Sequence, residues 1–102
     1  MAASGEVQQR LLRALHHPFR RSLLRRYVEA SEPLSPKDLA DLTQEPLTNI
    51  SYHVRVLAGF DAVELAAEKP SRGSVQHFYR PTAVVRETPW VLANLGLRGD
   101  AG

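Results

Sequence analysis

Residues 46–59 read PLTNISYHVRVLAG. Placed on a helix at about 100° per residue, Leu47, Ile50, Val54 and Leu57 fall on one side, a stripe suited to a core. Thr48, Tyr52 and Arg55 fall on the other, with Asn49 and Ser51 at the edges. This outward face carries short hydroxyl and amide groups, a phenol and one guanidinium, rather than the Glu/Lys mixture of an ordinary solvated helix. Such groups match the donors and acceptors of base edges and flanking phosphates in a major groove.

The residues just before this helix strengthen that reading. Ser35-Pro36-Lys37-Asp38 combines a serine cap, proline at the first helical position and an acid in the first turn. It opens a helix over Pro36 to Leu42 or Thr43, expected to bury Leu39 and Leu42. Thr43-Gln44-Glu45 then makes a tight link to Pro46. Two short helices so joined, the second with a polar outer face, form a helix-turn-helix arrangement.

After the helix the period changes. Asp61, which tolerates the left-handed conformation, marks the stop between Gly59 and Asp61. Val63–Glu68 and Val75–Arg80 alternate and are rich in β-branched and aromatic residues, so two strands are expected. Between them Lys69-Pro70-Ser71-Arg72-Gly73-Ser74 forms a hairpin tip, and Phe78 and Tyr79 divide between core and exterior. A hairpin bearing Lys69 and Arg72 beside the polar helix can reach phosphates or the minor groove.

Upstream, a first helix is expected from Glu6 to His16, with Ser4 as cap and Val7, Leu11, Leu12 and Leu15 as stripe. His17-Pro18 interrupts it, and a second helix runs from Pro18 to Glu29 with Phe19, Leu23, Leu24, Tyr27 and Val28 on one side. Downstream, a short last helix starts at Pro89 behind Thr88 and stops at Gly96. The fold class is thus mainly α with a small β-hairpin, a winged helix-turn-helix in the order α-α-α-α-β-β-α.

The 102 residues make one domain, with a core over 5–82, a C-terminal dimerisation segment over 83–97 and a tail over 98–102. A chain this small is expected to have difficulty covering Trp90, Leu92 and Leu95 together with Leu11, Leu12 and Leu15. Pairing of the terminal helices with a second copy is the expected solution. The net charge is +2, unevenly placed: residues 1–30 hold six arginines against two glutamates, residues 31–68 two cations against seven acids, and residues 69–102 five cations against two acids. Basic flanks around an acidic middle suit phosphate contact by the ends of the fold. MAASGEVQQR has no apolar core of a signal peptide, and no apolar run reaches the roughly 18 residues of a membrane span. With no cysteine there is no disulfide framework, so a cytoplasmic protein is expected.

The runs LLRALHHPFRRSLLRRYVE, LSPKDLADLT, NISYHVRVL and RGSVQHFYRPT resemble bacterial ArsR-like winged helix-turn-helix transcriptional regulators over roughly residues 10–82. The resemblance implies a homodimer on double-stranded DNA, its two recognition helices in successive major grooves and its dimer contacts made by the first and last helices. Carried over by position, base contacts fall on Thr48, Asn49, Ser51 and Tyr52. Arg55 fits a phosphate or outer-base contact, Lys69 and Arg72 match the wing, and Arg20, Arg21 and Lys37 complete the phosphate contacts. Tyr52 stands where many members have a basic or imidazole side chain, and Asp61 where many have glycine.

No metal or cofactor is expected. The cysteine pair that many members carry before the recognition helix is replaced by Asp38, Leu39, Ala40 and Asp41. His16 and His17 point apart, and His53 and His77 read as packing residues bonded to backbone groups. Ser51 and His53 diverge by about 200° on a helix, so they form no nucleophile-base pair, and no enzyme is expected. The reading is a DNA-binding repressor; the alternative is a winged-helix protein-interaction module docking an acidic partner.

Overall fold

The computed structural model describes residues 5–97, so Ser4 as a cap and the 98–102 tail lie outside the described residues. The order is α1 (Gly5–Leu15), α2 (Pro18–Glu29), α3 (Pro36–Thr43), α4 (Leu47–Gly59), β1 (Val63–Ser71), β2 (Ser74–Pro81), α5 (Ala83–Arg86) and α6 (Pro89–Asn94). This is the expected winged helix-turn-helix with one more helix: α5, four residues long, is too short to show a period in the sequence.

Local chemistry accounts for the element boundaries. His17 caps α2, its Nδ1 accepting from the Phe19 N–H at 3.2 Å, and Pro18 takes the first helical position. At α3 the Ser35 hydroxyl accepts from the Asp38 N–H at 3.1 Å while the Asp38 carboxylate accepts from the Ser35 N–H at 2.9 Å, a reciprocal capping box. Ser35 is buried at 1 % exposure, so water cannot replace the lost bond in Ser35→Ala. That substitution is expected to lower stability by about 1–2 kcal/mol in a denaturant titration.

The link between α3 and α4 depends on two side chains. Gln44 closes α3 in the left-handed conformation, φ 61°, its N–H donating to the Ala40 carbonyl. The Thr43 hydroxyl donates to the Leu39 carbonyl at 2.7 Å and accepts from the Glu45 N–H at 3.3 Å.

The core joins Leu11, Ala14 and Leu15 of α1, Leu23, Leu24 and Tyr27 of α2, Leu39 of α3, Ile50, Val54 and Leu57 of α4 and Ala62 and Val63 at the start of β1. Two leucines expected inside are outside. Leu42 is 55 % exposed and Leu47 48 % exposed, because each lines an open groove beside the hairpin instead of packing into the core.

Val85, Val91 and Leu95 belong to the same core, and Leu92 is buried beside it. This corrects the expectation that one chain has difficulty covering its terminal leucines: Leu11, Leu15, Leu92 and Leu95 are buried within the single chain. Leu12, 45 % exposed, and the half-buried Trp90 remain at the surface. Arg25 reaches α6, its Nη1 donating to the Leu95 carbonyl at 3.3 Å.

The strands pair antiparallel from Val63↔Pro81 to Ser71↔Ser74, with a bulge between Leu65 and Ala67. They run further than expected. The turn is only Arg72-Gly73, both at positive φ (44° and 85°), and Lys69, Pro70 and Ser71 belong to β1. Proline is tolerated there because β1 has a partner on one side only. On its other edge β2 pairs with Leu34, which exchanges two 2.9 Å hydrogen bonds with Tyr79.

Candidate nucleic-acid interface

Ile50, Val54 and Leu57 fix α4 against the core, and that orientation turns Thr48, Asn49, Tyr52 and Arg55 into solvent, with Ser51 half-buried. Helical serine and threonine hydroxyls commonly bond a carbonyl one turn back. Among the described residues the hydroxyls of Thr48, Ser51 and Tyr52 have no hydrogen-bond partner, whereas those of Thr43 and Thr88 bond carbonyls four residues back. The Asn49 amide meets only the Glu45 carboxylate, at 3.4 Å. The face is left open to an external partner.

Beside it lies a cleft of about 650 Å³ between α4 and the hairpin, floored by the start of α3. Leu47, Ser51 and Arg55, at i, i+4 and i+8 on α4, form one wall; Arg72, Val75 and His77 stand on the hairpin, and Lys37 on α3. Arg55 and Arg72 are exposed and have no acidic partner among the described residues. Lys37 faces Asp41 at 3.5 Å and His77 Nε2 meets Glu68 at 2.9 Å, both pairs exposed and weak in water. His77 therefore pairs with a surface carboxylate, not with the backbone as expected.

Arg72 occupies the turn at a φ that costs an L-residue roughly 1–2 kcal/mol unless it is glycine, asparagine or aspartate. A two-residue hairpin turn with both positions at positive φ imposes that conformation.

The other expected phosphate contacts are placed differently. Arg20 donates to the carbonyls of Ala14 (3.3 Å) and Arg13 (3.4 Å), and Arg21 to that of Leu15 (2.6 Å). Both close the C-terminal end of α1, where a cation also meets the negative end of the helix dipole. The doubled arginine thus braces the turn at His16-His17 while staying half-exposed. Lys69 lies 5.1 Å over the Phe78 ring and lines a separate groove with Glu32, Asp38, Asp41 and Leu42. It does not share the α4 cleft with Arg72.

His53 is 6 % exposed on the side of α4 away from the hairpin. Its ring packs on His17 (4.8 Å between centroids), Phe19 (5.2 Å) and Tyr52 (5.1 Å). It does not bond the backbone as expected: its Nδ1 is buried with no partner. Burial, with His17 and Arg20 facing it, holds its imidazole below the ordinary value of 6.5. The unfolded chain then binds the proton more readily than the folded one, so this residue's contribution is present above pH 6.5 and is lost as pH falls below it. Thermal melts are expected to show the melting temperature dropping between pH 7 and 5, with a shallower slope in His53→Phe; parallel slopes would contradict this.

Among the described residues no group of three or more His, Cys, Asp or Glu side chains could hold a metal ion. No helix among them is long and apolar enough to cross a membrane.

Sequence reasoning missed Leu47 and Val75 as cleft residues. For Leu47 the sequence carries no signal of this, since it lies three residues before Ile50 and seven before Val54, on the same apolar stripe.

A DNA-binding helix pair with a wing is the class that this architecture and open polar face define. Residues 3–66, more than half of the chain, match the family model described as Helix-turn-helix domain. The chain belongs to that helix-turn-helix family, whose domains serve DNA-binding regulators. A search of curated proteins found no match.

Proposed function

We propose that this protein is a sequence-specific transcriptional repressor of the ArsR-like kind, which binds a pseudo-palindromic operator as a homodimer with half-sites about one helical turn apart. The observation that carries this reading is the exposed polar face of α4, on which the hydroxyls of Thr48, Ser51 and Tyr52 have no partner among the described residues, beside a cleft edged by Lys37, Arg55 and Arg72. In this reading Thr48, Asn49, Ser51 and Tyr52 touch base edges, and the three cations touch phosphates. Leu12 of α1 and Trp90 of α6, the members of the terminal apolar set left at the surface, supply the contact between copies.

The test is retention of random-sequence duplex by the purified chain across a salt series. The proposal expects log affinity to fall linearly with log salt, by about 0.9 per phosphate contacted. No retention at low salt would overturn it and favour a protein-interaction module. Sedimentation of the same sample is expected to show a dimer, and a monomer at binding concentrations would overturn the homodimer.

A further inference from the structure

Leu47 is half exposed at the first turn of α4 and lines the cleft between that helix and the hairpin. The lining around it is mixed: Ser51 and Arg55 stand one and two turns on with the buried Val54 between them, and Lys37, Arg72 and Val75 line the other sides. An occupant of such a cleft presents negative charge to the cations and an apolar group to Leu47. Double-stranded DNA fits this description at one kind of place. The C5 methyl of thymine is the apolar group that base pairs display in the major groove, and it lies beside phosphate-lined walls.

We infer that Leu47 is a specificity-determining residue that selects thymine at a fixed position in each half-site by packing on its methyl group. The inference rests on the DNA-binding reading and deepens it. The two neighbours on the same wall complete the contact: the Ser51 hydroxyl is free for the adjoining base edge, and Arg55 for the flanking phosphate. Val75, 51 % exposed on the hairpin across the cleft, packs against the sugar of the backbone that enters, a contact without base preference.

Deoxyuridine in place of thymine removes the methyl and leaves base pairing intact, so it isolates this contact. A duplex selected from a random pool by the 102-residue chain is remade with each thymine singly replaced by deoxyuridine. One position per half-site is expected to bind wild type about four-fold more weakly, the ~0.8 kcal/mol of one buried methyl at 1.4 kcal/mol per decade. In Leu47→Ala the penalty at that position is expected to vanish while penalties elsewhere stay. Val75→Ala is expected to bind all duplexes more weakly and to keep the deoxyuridine penalty. Melting curves of both variants confirm folding.

Binding with no deoxyuridine penalty, or a penalty that persists in Leu47→Ala, overturns the role of Leu47 and leaves the DNA reading intact. Failure to bind any duplex overturns the DNA reading, and this inference with it.

Discussion

Replacing Leu57 by alanine is expected to destabilise the protein by about 2–5 kcal/mol, the cost of a cavity at a fully buried leucine. Leu57 is wholly inaccessible in the core that α4 shares with α1, α2 and α3. For a domain of this size the whole stability is about 5–15 kcal/mol, so the variant should melt roughly 10 °C or more below wild type. Leu47→Ala makes the same chemical change ten residues earlier on the same helix. It is expected to cost less than about 1 kcal/mol, because Leu47 is half exposed. Equal losses at the two positions, measured by urea titration, would contradict the orientation of α4 on which the interface depends.

The second large effect is a contrast in DNA binding. Asn49→Ala is expected to reduce discrimination by about 1–3 kcal/mol at one base pair, leaving affinity for random duplex nearly unchanged. Arg72→Asn removes the charge at the wing tip while keeping a residue that accepts positive φ. It should weaken all sequences alike and reduce the salt slope by about 0.9. Fluorescence anisotropy on operator and random duplexes separates the two. If both variants lost the same factor on both duplexes, base reading and phosphate contact would not be divided between helix and wing.

Much of the fold was legible because its boundaries are written in local chemistry. Pro18, the Ser35-Pro36-Asp38 box and Asp61 each act within a few residues, and each boundary lies where those residues place it. The errors arose where the outcome depends on distant contacts. Periodicity places Leu42 and Leu47 on inward stripes, but the hairpin stands off from both and leaves open grooves beside them. Pro70, Ser71 and Ser74 are turn formers and read as part of a six-residue tip, whereas the strands continue to Ser71 and Ser74 and strain is concentrated at Arg72.

The candidate site divided in the same way. The outward face of α4 followed from spacing alone. The duties of Arg20 and Arg21 did not, since these depend on how the end of α1 folds back towards α2. The packing of His53 on His17 and Phe19 likewise depends on α2 meeting α4. Burial of the terminal leucines was misjudged because α5, which contributes Val85 to the core, has too few residues to show a pattern.

Backbone amide NMR shifts, recorded while the labelled chain is titrated with a duplex selected from a random pool, test the central claim most directly. The account predicts that the perturbations gather on residues 47–55 of α4, on the hairpin turn at Arg72 and Gly73, and at Lys37. Perturbations gathered on α1 and α6, with the amides of residues 47–55 unmoved, would contradict it.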